Sequence, residues 1–359
     1  MNRPRTFRRA PPAPECRGTG FAGPQASPLK RGDAASGARR RQKGAALLLA
    51  MLTVTLVATL ASAALWQQWR ATEVETADRQ RVQAAWILTG ALDWARLILR
   101  EDARGNQNSG NPDHLGEPWA TPLEEARLSS FLAADKNNSA DDTMQAFLSG
   151  EVIDLQSRMN FLNLVNVSQG GANAKAEVSP SDLLAFTRLY LLLDLPQAEL
   201  DAAVQALLTT SQLAVSDPQP SHSALIPSKL AHLAWLGIGP ASLAALEPHV
   251  TVLPERTLVN LNTASAQVLS ASVPELSLAG AQKLVTERER NPLRSLADAG
   301  KVVPAVASQF SATQHDVRTR YFEVRGRLRL EDAVIEERSL VVRNNLEVRV
   351  RWRERIASR

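Results

Sequence analysis

The chain of 359 residues is 44% hydrophobic and 22% charged, long enough to bury a sizeable core in two or three domains, which excludes wholesale disorder. Its one cysteine, Cys16, leaves residues 45–359 without a disulfide framework, a zinc finger or a cysteine nucleophile. The formal net charge of +4 divides into +9 over residues 1–44, −10 over 45–316 and +5 over 317–359, so the basic first block hides an acidic remainder and no polyanion partner is implied.

Ala45 to Gln68 carries no charge, and Ala45 to Trp66 is apolar apart from Thr53, Thr55, Thr59 and Ser62. As a helix this run reaches ~33 Å, enough to cross a hydrocarbon core of ~30 Å. Arg39, Arg40, Arg41 and Lys43 precede it, which holds that end in the cytoplasm, and Trp66 and Trp69 suit the far headgroup interface. The reading is a bitopic protein whose bulk lies outside the cytoplasm. Ala61-Ser62-Ala63 keeps an alternative open, a secretory signal peptide cut near Ala64. Helical character continues over residues 67–104, without proline, and Val82, Trp86 and Ile98 mark the expected apolar stripe. One helix of ~90 Å from Ala45 to Arg104 is predicted.

Lys43-Gly44 followed by Ala45-Ala46-Leu47-Leu48-Leu49 resembles a type IV prepilin cleavage site, with a basic leader, a glycine and then a hydrophobic helix. Glycine offers a peptidase at the membrane face an unhindered residue. The resemblance implies that a prepilin peptidase cuts between Gly44 and Ala45 and that Ala45 is N-methylated. The leader is long for the family, which points to a start codon downstream of Met1. Most pilin-like subunits carry Glu at the fifth mature position, where this chain has Leu49. A carboxylate in hydrocarbon is costly unless paired, and in pilins it is thought to meet a neighbour's N-terminal amine. A subunit with Leu49 lacks that docking device. Among pilin-like families this pattern resembles the minor pseudopilin K of type II secretion.

Downstream, 106–111 and 135–142 read as polar loops. Asp135, Asp141 and Asp142 offer carboxylates without EF-hand spacing, so a solvated loop is the simpler reading. Residues 151–165 begin as an alternating strand, with Asn160, Asn163 and Asn166 favouring turns and caps. Residues 180–310 read as helices broken by Pro and Gly. One starts at Ser181-Asp182 with Leu183, Leu184, Phe186, Leu189 and Tyr190 on its apolar face, and another starts at Pro196. Leu236-Gly237-Ile238-Gly239-Pro240 and Val273-Pro274-Glu275-Leu276-Ser277 each join two expected helices, and the pair resembles helix-hairpin-helix units. Lys283, Arg288 and Arg290 alternate with Glu287 and Glu289 in an acidic block, so packing or protein interaction is favoured over phosphate binding. Tyr321–Leu330, Ser339–Val342 and Leu346–Trp352 alternate as strands, with Asn344-Asn345 as a hairpin turn and alternate arginines on a wet face.

Three segments extend the resemblance to protein K: Gly116-Glu117-Pro118-Trp119-Ala120 in a polar loop, Val152 to Leu164, and Leu258-Val259-Asn260-Leu261-Asn262-Thr263-Ala264. It implies an α+β fold, in which a pilin-like transmembrane spine helix packs on a C-terminal antiparallel sheet around an inserted all-α domain of helix-hairpin-helix (SAM-like) type. The implied division is a basic leader (1–44), the transmembrane part of the spine (45–66), and the periplasmic spine, loops and first strand (67–166). The inserted α-helical domain (167–316) and the completing β segment (317–359) follow. The family can bind calcium, but its acidic stretch is shortened here to Gln212–His222 with Asp217 as the single acid, so no ligand set carries over. The implied partners are minor pseudopilins I and J, a prepilin peptidase and the inner membrane, with no nucleic acid. The implied role is a non-enzymatic one, support of folded-protein export from the pseudopilus tip. Scattered His114, His222, His232, His249 and His315, and Ser221-His222-Ser223 without an orienting acid, make no catalytic constellation. The alternative from a different class is a membrane-anchored helix-hairpin-helix protein that binds DNA outside the cytoplasm.

Overall fold

The computed structural model describes residues 43–109, 111–128, 146–168, 175–216, 225–330 and 333–356; of 43, 44, 106–109 and 216 it describes the backbone alone. The basic leader to residue 42, Asp135, Asp141, Asp142, Asp217 and Ser221-His222-Ser223 lie outside the described residues. The chain divides into two compact units, residues 1–70 and 71–359.

Helix α1 (Lys43–Ser109) begins in the first unit. Its start contains a window long and apolar enough to cross a membrane. The hydroxyls of Thr53, Thr55, Thr59 and Ser62 donate to carbonyls three or four residues back, at 2.8–2.9 Å. The apolar run therefore carries no unsatisfied hydroxyl, as hydrocarbon demands. The helix ends at Ser109 instead of near Arg104, so most of the loop expected at 106–111 is helical.

In the second unit, β1 (Leu123–Arg127), β2 (Ala146–Asp154), β3 (Tyr321–Leu330), β4 (Ala333–Asn344) and β5 (Glu347–Ile356) form one antiparallel sheet in chain order. The β4–β5 turn uses Asn345 at φ 53°, a left-handed conformation that asparagine tolerates. One sheet face packs on α1 through Ala84, Leu88, Leu92, Ala95 and Leu99, at the i, i+3 and i, i+4 spacings of a helical seam. The expected stripe was wrong: Val82 and Trp86 point outward, Trp86 being 73% exposed, and only Ile98 joins the packed side in part. The reason is distance. Gly326 lies under Leu88, where an added Cβ would stand 3.2 Å from the leucine, and Gly150 is paired with Gly326 across β2 and β3. The sheet glycines, with alanine and leucine on α1, let helix and sheet approach, and an indole does not fit that seam.

The other sheet face is covered at one end, where Tyr321, Leu340 and Val342 pack with Leu155 and Leu253. Along the rest of it run the expected arginines, laced to acids: Arg329 to Glu125, Arg327 to Glu336, and Arg325 to Glu151 and Glu323. The strand expected over 151–165 begins earlier and ends at Asp154. Its carboxylate accepts from the Gln156 N–H and turns the chain into a 3-10 segment, Leu155–Ser157.

Between β2 and β3 lie α2 (Pro180–Leu192), α3 (Gln197–Ser216), α4 (Pro240–Leu246), α5 (Ala266–Ser272), α6 (Leu278–Arg290) and α7 (Leu296–Val302), around one apolar cluster. Phe186, Leu189 and Tyr190 of α2 are buried as expected, whereas Leu184 is exposed. The first hairpin is entered from a 3-10 segment, Leu230–Leu236, instead of an α-helix; Gly237 at φ 94° ends it and Pro240 opens α4. In the second hairpin Ser265 caps α5 and Ser277 caps α6, each accepting a backbone N–H.

Candidate functional site

Gly44 and Ala45 lie in the first turn of α1, and Leu49 stands one turn further on, exposed like its apolar neighbours. Arg70 sits over the Trp66 ring, 5.5 Å from its centre, where the apolar run gives way to charge. These residues follow one another along a single helix, and Ala45 and Leu49 are exposed.

The second unit does bring distant residues together. The three segments similar to protein K converge on a buried polar junction where the sheet meets the helices. Asp154, at the end of β2, is its centre. One carboxylate oxygen accepts from the Gln156 N–H at 2.7 Å and the Thr319 hydroxyl at 2.6 Å. The other accepts from Asn260 Nδ2 at 3.0 Å and the Thr263 hydroxyl at 2.5 Å. Burial pushes the Asp154 carboxyl up, and these four donors pull against it. The asparagines act as links between segments. Asn163 pairs with the Thr257 N–H and C=O, and Asn262 pairs with those of Leu293. Asn160 accepts from the Leu253 N–H and donates to the Leu253 and Glu255 carbonyls. Each supplies both hydrogen-bonding groups of a one-residue strand where the backbone cannot reach.

Beside this junction Asp102 of α1, Asp113 and Glu117 bring carboxylate oxygens within 4.8 Å of one another. A cation is already present among them. The Arg343 guanidinium, from β4, pairs with Asp102 and Asp113 and donates to the Thr319 carbonyl at 3.0 Å. It also stands over the Phe322 ring, 4.9 Å from its centre. Burial works against the charge on Arg343, but Asp113 and Asp102 outweigh it and hold its pKa above normal. Glu117 accepts from Trp119 Nε1 at 2.7 Å and the His114 N–H at 3.0 Å. Trp119, fully buried, meets Phe322 edge to face at 5.2 Å. The segment read as a polar loop is therefore part of the core; a tryptophan between Pro118 and Ala120 was the available signal.

The described histidines stay apart. His114 Nδ1 accepts from the Gly116 N–H, His232 stacks on Trp235 at 4.1 Å, and buried His315 accepts from the Ser311 N–H. His249 Nδ1 lies 3.4 Å from the Ser265 hydroxyl, but that oxygen caps α5 by accepting the Val268 N–H. Arg288, read as part of a charge alternation, is buried and donates to the Leu261 carbonyl. It is spent on packing the second hairpin and is not open to phosphate.

Comparisons with known proteins agree with this geometry. Residues 259–318 match the family model described as type II secretion system (T2SS), protein K, a span that holds Asn260, Asn262 and Thr263 of the junction. Type II secretion system protein K of Pseudomonas aeruginosa is 29% identical over 313 residues, covering 82% of this chain and 86% of the relative. The protein of that name from Klebsiella pneumoniae is 30% identical over 277 residues, covering 72% of this chain and 78% of the relative. The fold is similar to a chain in the crystal structure of the GspK-GspI-GspJ complex from the enterotoxigenic Escherichia coli type 2 secretion system. The TM-score is 0.59 at 17% identity, over 79% of this chain and 99% of that one. These findings give the DNA-binding alternative no support. A membrane-length apolar helix, an α+β body of this fold and relatives matched over most of their length converge: the chain belongs to the type II secretion system protein K family and is a membrane-anchored minor pseudopilin.

Proposed function

We propose that the chain is a single-pass inner-membrane protein whose basic leader faces the cytoplasm and whose second unit stands in the periplasm. A prepilin peptidase cuts it between Gly44 and Ala45, Ala45 is methylated, and the mature subunit joins minor pseudopilins I and J at the pseudopilus tip. The role is structural, supporting export of folded proteins. The observation that carries this reading is the likeness of the fold to a chain in the structure of a GspK-GspI-GspJ complex.

Two measurements test it. Full-length tagged chain, solubilised from membranes, should retain the I and J pseudopilins of its own system through purification. Recovery of the chain without either would overturn the partnership. Intact-mass analysis should place the mature N-terminus at methylated Ala45, and Gly44→Val should leave full-length precursor in the membrane, because a β-branched residue crowds the scissile bond. A start near Ala64 would instead mean signal-peptide cleavage.

A further inference from the structure

Glu117 differs from its neighbours. Arg343 neutralises Asp102 and Asp113, while Glu117 forms no ion pair among the described residues. With all three carboxyls ionised, the site would hold three negative charges against one guanidinium, in a place where Glu117 and Arg343 are less than a tenth exposed. Such a cluster relieves itself by keeping a proton. Glu117 is suited to hold it. Its Oε2 accepts from Trp119 and His114, which favours the carboxylate, but burial outweighs both donors, and its carboxyl lies within 4.8 Å of that of Asp102, itself pushed up by burial.

The other charged groups around the cluster are few. His114, in the same loop, has its pKa lowered by burial, so it supplies no charge at neutral pH. Asp316, Arg318 and Arg320 line the cavity shared by Asp113 and Arg343, and Arg320 is engaged by Glu255. From β3 the site meets Phe322, and from the segment before it Thr319, neither of which titrates near neutrality.

We propose that Glu117 and Asp102 hold one proton between them, and that this proton latches the Trp119 loop onto α1 and the sheet, so that the loop is held in acid and loosened in alkali. In the latched state the Glu117 hydroxyl donates to the Asp102 carboxylate; on release the proton passes to water and two like charges face each other. Burial, followed by the neighbouring carboxylates, pushes Glu117 up to about 7, against 4.5 for a free glutamate. Between those values the folded chain holds a proton that the unfolded chain has lost. The stability this proton contributes is therefore fully present below this window, declines as pH rises through it and is absent above it. What loosens is the packing of Trp119 on Phe322, and with it the grip of residues 113–120 on the end of α1.

The test uses the full chain in detergent, followed by hydrogen exchange of residues 113–120 and by thermal unfolding, from about pH 5 to about pH 8. In the natural chain, loop exchange beyond its intrinsic pH dependence should rise, and the unfolding midpoint should fall, across that range. Glu117→Gln carries a permanent N–H toward Asp102 and keeps a carbonyl for Trp119 and His114. It should flatten both trends and raise the midpoint at about pH 8 by several degrees. If that variant fails to fold, Asp102→Asn supplies the hydrogen from the other side and should flatten them equally. A natural chain with no such trends, or a Glu117→Gln variant with undiminished ones, overturns the proposal. So does a trend abolished by added calcium in the natural chain, which would make the cluster a cation site.

Discussion

Asp154→Asn should destabilise the second unit by about 3 kcal/mol or more, although it is the smallest change of shape available there. Each carboxylate oxygen of Asp154 faces one rotatable hydroxyl and one fixed N–H. Thr319 and Thr263 can turn their hydroxyls to accept. The Gln156 backbone N–H cannot, and Asn260 Nδ2 cannot without flipping its amide. That flip is blocked on both sides, because Asn260 Nδ2 also donates to the Asp113 carbonyl at 3.2 Å and its Oδ1 accepts the Asn262 N–H at 3.0 Å. Whichever way an asparagine at 154 is turned, its NH2 group meets a donor. One charge-assisted hydrogen bond is lost and a buried N–H is left without a partner, each worth roughly 1–3 kcal/mol. The same residues tie the end of β2 to the turn at 259–263, so the loss spreads to the joint between sheet and helices. Urea unfolding of full-length chain in detergent reads the effect. An unfolding free energy within about 0.5 kcal/mol of the natural chain's would show that Asp154 is not held by these four donors.

How far the sequence revealed this structure varied with the range of the interaction. Local signals were reliable. An uncharged run of membrane length begins α1, alternating residues form β3 to β5, and Asn344-Asn345 makes the hairpin. Gly237 and Pro240 punctuate the first hairpin, because such a turn is decided within a few residues. The orientation of α1 was not legible, since its second half carries two apolar stripes. Hydrophobicity alone favours Val82 and Trp86, while the sheet, brought close by Gly150 and Gly326, selects Ala84, Leu88 and Leu92. The buried junction was legible only as three similar segments without chemistry. Asp102 and Arg343 are 241 positions apart, and nothing local to either predicts their pairing. Glu117 was hidden by its setting, because a Gly-Glu-Pro loop reads as solvated until Trp119 is seen in the core.

Arg343→Met should cost about 3–5 kcal/mol at neutral pH and turn the cluster into a steep sensor of acidity. Methionine replaces much of the arginine stem over Phe322, so apolar packing is largely kept. What disappears is the one positive charge between Asp102 and Asp113, both less than a tenth exposed at the side chain. Removing one partner of a buried pair leaves an uncompensated charge, which costs more than the pair itself contributes. The carboxyls would then hold protons more tightly in the folded chain than in the unfolded one. Stability should be regained as the pH falls and lost as it rises, the same direction as in the natural chain but over a wider range and with a larger amplitude. Arg343→Lys separates charge from geometry. An ammonium restores the sign but is a single point, and it does not reproduce the fork that spans Asp102, Asp113 and the Thr319 carbonyl, so partial recovery is expected. Thermal unfolding of both variants at about pH 5 and about pH 8 decides the matter. Equal losses for Arg343→Met at the two values would mean that the arginine serves through packing on Phe322 and not through its charge.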